Sequence, residues 1–284
     1  MPKQSRFRTG IALAKISWRT LRDNKSLMAF PIAGMAVALA IAIILVLPGI
    51  LLLVVANVLW AAIVLFAVSG YLAAFTGVFF GVGLCAATDR ALRGESCTLR
   101  DGLHVSRERI PQIAKWALVV TTVAIIIRTI EARFDGAGGA IVGALAGVAW
   151  ALVSFLAVPV ITFEGAGPIN ALKRSSSLFK QRWGQQVTGQ AVTGGIVGVL
   201  IVLPGIILIV LGIAMAGGTS AAAGIALAVV GGLLVIIGSV LANTLNQILS
   251  VALYHYAVDG EGVGAFNADV LQAVVRPKRG ARAV

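Results

Sequence analysis

Residues 45–50 read LVLPGI and residues 201–206 read IVLPGI. Each copy lies inside a long uncharged run. No Asp, Glu, Lys or Arg occurs from Ser26 to Thr88, or again from Trp183 to Val258. A membrane crossing takes about 20 apolar residues at ~1.5 Å rise each, so each run is long enough for two crossings. Shorter apolar runs, residues 114–133 and 140–163, supply two more. The 284-residue chain is 59% hydrophobic and 12% charged, with a mean hydropathy of +0.97. No soluble domain of this length hides that much apolar surface. The alternating polar and apolar decads of a membrane β-barrel are absent, so the spans read as helices that satisfy their own backbone groups. The expected fold class is all-α and integral to the membrane, with six transmembrane helices.

Charge placement orients the chain. Of 23 Lys and Arg, seven precede Ser26, six lie between Asp89 and Lys115, four are Lys173, Arg174, Lys180 and Arg182, and four are Arg276, Lys278, Arg279 and Arg282. With six spans these all fall on one side, and only Arg128 and Arg133 fall on the other. The positive-inside rule makes that side, and both termini, cytoplasmic. The basic N-terminus is too long for a secretory signal, and no A-x-A cleavage site follows Lys25. The net charge of +12 thus reports topology and contact with anionic lipid headgroups, and no nucleic-acid-binding motif is visible. Cys85 and Cys97 have no partner at zinc-like spacing, and the cytoplasm keeps thiols reduced.

Outward from each Pro-Gly pair the surroundings repeat. Before the first span Phe7, Ile11, Ala14, Trp18 and Leu21 form an apolar stripe at helical spacing, flanked by Arg8, Lys15, Arg19 and Arg22. Ile169, Leu172, Ser176, Phe179 and Trp183 form a second stripe, and Leu99, Leu103, Ser106, Ile110 and Ile113 a third. Each set lies within an arc of about 80° on a helix. Gly102-Leu103-His104-Val105-Ser106 echoes Ala171-Leu172-Lys173-Arg174-Ser175. Pro111 is expected to end or kink the third of these helices. The return spans leave through Leu92-Arg93-Gly94-Glu95, Phe163-Glu164-Gly165 and Asp259-Gly260-Glu261-Gly262, each an acid beside a glycine.

The expected unit is an amphipathic cytoplasmic helix, a span out, a turn, a span back and an acid–glycine exit. It occurs three times, as three tandem helical hairpins within a single membrane domain, 1–284. Repeat one covers 5–96, repeat two 97–166 and repeat three 167–262, and residues 263–284 form a basic cytoplasmic tail. All copies run in the same direction, unlike the inverted repeats of many transporters. Pro48 and Pro204 are expected to kink or end the outgoing helix near its outer face.

The stretch Val158-Pro159-Val160-Ile161-Thr162-Phe163-Glu164-Gly165, with Pro168-Ile169-Asn170-Ala171-Leu172-Lys173-Arg174-Ser175 and Trp183, resembles a signature of bacterial multi-pass membrane families. Among them are the membrane domain of some glycerophosphodiester phosphodiesterases and related stand-alone families of unknown function. The opening, Ser17-Trp18 through Phe30-Pro31, looks like the start of one stand-alone family. The resemblance implies a bacterial inner-membrane location and carries no catalytic residue, because the phosphodiesterases keep their chemistry in a separate soluble domain.

The last span holds the most unusual polar content: Ser239, Asn243, Asn246, Gln247, Ser250 and Tyr254 share one face. Such groups are costly in a membrane unless they find partners or water. They read as interhelical hydrogen-bonding groups or as a polar lining for a substrate or headgroup. Counted back from the exits, that face corresponds to Gly77, Phe80, Gly81, Leu84 and Thr88 of span two, and close packing of the two faces would satisfy both. Gly139, Gly143 and Gly147 form a stripe that lets another helix approach. Arg128 and Glu131 are spaced to pair. His255 lies off the polar face, and a lone histidine there is more often an interface residue than a proton relay.

No HExxH, phosphate-binding Gly-rich loop or paired intramembrane carboxylates occur, so no catalytic residue, cofactor or metal ligand is assigned. The expected partners are the bilayer's anionic headgroups, met by Lys173, Arg174, Lys180 and Arg182, and a membrane protein. The expected role is a non-enzymatic scaffold, assembly or lipid-binding module. A transporter or lipid translocator using the last span is the alternative, and an accessory or sensor subunit a further one.

Overall fold

The computed structural model describes residues 6–134, 137–183, 201–217 and 220–266. The described residues are overwhelmingly helical. Five helices are long and apolar enough to cross a membrane: Lys25–Val54, Leu59–Leu92, Ile110–Glu131, Gly138–Glu164 and Ala221–Asp259. The chain is thus a multi-pass membrane protein. The expected fifth span begins in residues 184–200, outside the described residues, and is seen as the shorter apolar helix Leu203–Ala216. Two compact units form: Asn24–Arg182, and Met1–Asp23 together with Trp183–Val284.

In the unit Asn24–Arg182 the first span opens with a 3-10 turn, Lys25–Met28. It continues as α2 (Ala29–Ile41), a π turn (Ala42–Val46) and α3 (Leu47–Val54). Pro48 accounts for the π turn. It has no N–H to donate and its ring crowds the Ile44 carbonyl, so the preceding turn widens and the helix carries on to Val54. The helix does not end at Pro48 but continues through this bulge to Val54. The glycine of the pair matters more for packing: α4 (Leu59–Leu92) returns along α2 and α3 with Phe66 over Gly49 and Phe80 over Gly34. A Cβ on Gly49 would come within 2.8 Å of the Phe66 ring.

α4 is 34 residues long. Its first half exposes Leu59, Trp60, Ile63, Val64 and Val68, whereas its second half buries Thr76, Val82, Leu84, Cys85, Ala87, Thr88 and Leu92. This gradient suits a helix that meets lipid at one end and protein at the other.

α5 (Leu99–Glu108) starts with a capping box. The Asp101 N–H donates to Thr98 Oγ1, and the Thr98 N–H donates to the Asp101 carboxylate. The helix crosses α4 where two glycines meet, and a Cβ on Gly102 would collide with the Phe30 ring and the Gly83 carbonyl. α5 ends at Glu108, and Pro111 stands in the first turn of α6 (Ile110–Glu131). The proline therefore opens the span, where no N–H is needed, and the amphipathic helix ends just before it, as expected. α7 (Ala137–Ser154) runs back against α6, with Trp116 stacked on Trp150 at 5.8 Å. The chain breaks before α8 (Ala157–Glu164) and resumes as α9 (Pro168–Trp183).

In the other unit α10 (Leu203–Ala216) and α11 (Ala221–Asp259) pack antiparallel through facing glycines. A Cβ on Gly205 would lie 2.9 Å from the Gly231 carbonyl, and one on Gly212 would lie 2.6 Å from the Gly224 carbonyl. Gly205, like Gly49, leaves no room for a Cβ against the helix that returns beside it. α11 shows the same gradient as α4: Ile225, Val229, Leu233 and Ile237 are exposed, whereas Leu245, Ile248, Leu249, Val251 and Ala252 are buried. α1 (Arg6–Asp23) packs against α11.

Candidate functional site

The polar face of α11 divides along its length. Asn243 is exposed, Ser239, Asn246 and Gln247 are half-buried, and Ser250 and Tyr254 are buried. Ser250 Oγ donates to the Gln247 carbonyl at 2.8 Å, which satisfies it within its own helix. Asn246 Oδ1 and Gln247 Nε2 are buried atoms that make no hydrogen bond among the described residues. His255, also buried, faces Asp259 with Nδ1 and Oδ2 3.2 Å apart.

All three exits end in glycine with positive φ: Gly94 at 78°, Gly165 at 64° and Gly260 at 80°. An L side chain is strained there and glycine is not. Arg174 Nε meets Glu164 at 3.1 Å and Arg90 meets Asp101 at 3.4 Å. In each case an exit is tied to the helix that follows. Arg174 therefore spends part of its charge on Glu164, while Lys173 and Lys180 stand exposed. The Arg182 side chain lies outside the described residues. Arg128 and Glu131 pair at 3.2 Å, as their spacing anticipates.

The buried residues of the helices before the spans overlap the apolar stripes only in part: Leu21, Ser106 and Ile113 are buried, whereas Trp18, Ile110 and Ile169 are exposed. α1 buries Leu13, Ser17, Thr20 and Leu21 and leaves Trp18 46% exposed. α9 buries Ala171, Ser175 and Leu178 and leaves Ile169 67% exposed. In α5, Gly102 and Ser106 are buried. Each helix thus buries a serine four residues after another buried residue. Ser106 Oγ donates to the Phe79 carbonyl at 2.8 Å. Ser175 Oγ donates to the Val153 carbonyl at 2.7 Å and accepts the Leu156 N–H at 3.1 Å. Ser17 Oγ is buried and makes no hydrogen bond among the described residues.

The stripe glycines are not equivalent. A Cβ on Gly139 would press on the Glu131 carbonyl and one on Gly143 on the Glu131 carboxylate, at 2.6 and 2.8 Å. A Cβ on Gly77 or Gly147 would meet nothing within 4 Å, and one on Gly81 would meet only Val158, at 3.8 Å. Ser106 stands on the third stripe, but the burial of Ser17 and Ser175 and the glycines Gly205, Gly212, Gly224, Gly231 and Gly238 escaped the sequence reading. A seven-residue glycine spacing was the signal for the latter.

The model of DUF6159, a family of unknown function, matches residues 57–264, from the turn before α4 to just beyond α11. The chain belongs to that family. The DUF6159 match thus covers the glycine-paired helices, two of the buried serines and all three glycine exits, while α1 and the first span precede it. No curated protein and no solved structure matches the chain. The resemblance to the membrane domain of glycerophosphodiester phosphodiesterases finds no support in these comparisons.

Proposed function

We propose that the chain is a non-enzymatic, lipid-binding scaffold of the bacterial inner membrane. On this reading six transmembrane helices form three tandem hairpins, both termini are cytoplasmic, and α1, α5 and α9 are the helices that precede each hairpin. The carrying observation is the way α1 and α9 divide their surfaces. Each turns a serine face to protein and leaves a large apolar residue, Trp18 or Ile169, exposed, with Lys15, Arg19 and Arg22 or Lys173 and Lys180 exposed beside it. A helix with protein on one side, an apolar anchor on the next and cations beyond suits the boundary between acyl chains and anionic headgroups.

The test replaces Cys85 and Cys97, introduces Ile169→Cys, and attaches an environment-sensitive fluorophore in proteoliposomes containing anionic lipid. Blue-shifted emission that relaxes toward water when Lys173→Glu and Lys180→Glu are added supports the reading. Water-like emission from the start overturns it.

A transporter or translocator reading draws support from Asn246 and Gln247, whose buried amide atoms make no hydrogen bond among the described residues. It requires Asn243→Leu with Gln247→Leu to abolish function in a protein that still inserts. The scaffold reading requires that variant to act only through stability or lipid retention.

A further inference from the structure

Three five-residue segments occupy the same place in their helices: Leu13-Ala14-Lys15-Ile16-Ser17, Gly102-Leu103-His104-Val105-Ser106 and Ala171-Leu172-Lys173-Arg174-Ser175. The first and last residue of each is buried. In two of them the serine grips the return helix that comes before it in the chain. Ser106 takes the carbonyl of Phe79, fifteen residues before the exit glycine Gly94, and Ser175 that of Val153, twelve residues before Gly165. The helix carrying Ser17 packs on the last return helix, α11. Counting fifteen and twelve residues back from Gly260 gives Leu245 and Ile248. The residues between them are Asn246 and Gln247.

Two serine grips are thus closed by backbone partners, whereas at the third the serine hydroxyl and two carboxamide atoms are buried without a hydrogen bond among the described residues. Leaving three such groups without partners is costly. Asn246 and Gln247 are half-buried as residues, each with an exposed part beside its buried amide atom. Lys15, Arg19 and Arg22 are exposed on the same helix as Ser17. We infer that Ser17 seats against Leu245–Ile248, and that Ser17, Asn246 and Gln247 bind the hydroxyl-bearing headgroup of an anionic phospholipid. The hydroxyls pair with the amides and Ser17, and the phosphate is held by the α1 cations. This inference rests on the lipid-binding reading and gives it one specific site.

The experiment is native mass spectrometry of the full chain titrated with phosphatidylglycerol, phosphatidic acid or glycerol 3-phosphate. The expected result is one strongly retained phosphatidylglycerol and weaker retention of phosphatidic acid, which lacks the headgroup hydroxyls. Retention falls about tenfold in Asn246→Leu with Gln247→Leu, the loss expected for a pair of hydrogen bonds, and to a lesser degree in Ser17→Ala. Circular dichroism melting confirms that each variant is folded, and Ser17→Ala, a single hydroxyl deletion, serves if the double variant is not. Equal retention of the two lipids, or unchanged affinity in the folded variants, overturns the site. Glycerol 3-phosphate held as tightly as the lipid overturns the membrane source of the ligand. Retention lost only on Lys173→Glu with Lys180→Glu removes this site but spares the lipid-binding reading, whereas water-like emission at Ile169 with no retained lipid removes both.

Discussion

Ser175 Oγ donates to the Val153 carbonyl at 2.7 Å, so one hydroxyl on α9 closes the backbone where α7 breaks. The same oxygen accepts the Leu156 N–H at 3.1 Å. The break itself follows from Pro159, which cannot donate to the carbonyl four residues back, that of Phe155. Ser175→Ala leaves the buried Leu156 N–H without this partner, at about 1–3 kcal/mol, and removes the part-buried bond to the Val153 carbonyl. Unfolding of the detergent-solubilised protein in a denaturant series should show a loss in that range or above it. Ser176→Ala removes a hydroxyl that donates only to the Lys173 carbonyl of its own helix, and should stay within about 0.5 kcal/mol of the parent.

The glycines predict opposite signs from one chemical change. Gly212 and Gly224 face backbone at 2.6 and 2.5 Å from an added Cβ. Gly212→Ala or Gly224→Ala should destabilise the α10–α11 pair by about 1–3 kcal/mol through overpacking. Gly77 and Gly232 meet nothing within 4 Å, so Gly77→Ala and Gly232→Ala should stabilise by up to ~1 kcal/mol through helix propensity. Thermal melting of the four variants in one detergent decides it.

The α5 cap carries a pH signature. Hydrogen bonds from the Thr98 side chain and backbone, helped by Arg90 and Arg100, hold the Asp101 carboxyl below its ordinary value, and burial opposes them only in part. A carboxylate with a depressed folded pKa contributes stability that is fully present above its unfolded pKa. That contribution is lost as pH falls through the folded value. Stability at neutral pH should therefore exceed stability at strongly acidic pH by a margin that shrinks in Asp101→Asn. A parallel acid profile in that variant would remove Asp101 as a source of the dependence.

Much of the architecture is legible in the sequence because spans are written in long uncharged runs and exits in glycine. Gly94, Gly165 and Gly260 were expected to end helices, and each adopts positive φ. Arg128 and Glu131 were spaced to pair, and they do. The stripes alone do not say which residues face protein: Trp18 and Ile169 are exposed, whereas Leu21, from the same stripe as Trp18, is buried. On the lipid-binding reading Trp18 and Ile169 face lipid, whereas close approach to another helix favours small residues and hydroxyls that reach a carbonyl. Ser17, Ser106 and Ser175 look merely polar until a neighbouring backbone is placed beside them. The same holds for Gly77 and Gly143, alike in sequence and unlike in surroundings, because only a partner helix distinguishes them.

Arg174 and Lys173 are neighbours with different expected effects. Arg174 is engaged with Glu164 in an exposed pair, so Arg174→Ala should change stability by no more than about 1 kcal/mol. Lys173→Glu should instead alter the protein's preference for anionic lipid, read as the lipid composition retained in nanodiscs of mixed headgroups.

The sidedness of the three hairpins is the claim on which the account stands. It is tested by single cysteines in a background lacking Cys85 and Cys97, labelled in intact cells with a membrane-impermeant maleimide. Asn57→Cys, Ala132→Cys and Ser220→Cys, in the three turns, should label from outside. Arg100→Cys, Lys173→Cys and Glu261→Cys, beside the exits, should label only after permeabilisation. Labelling of a turn cysteine and an exit cysteine from the same side of the intact membrane would contradict the three-hairpin account.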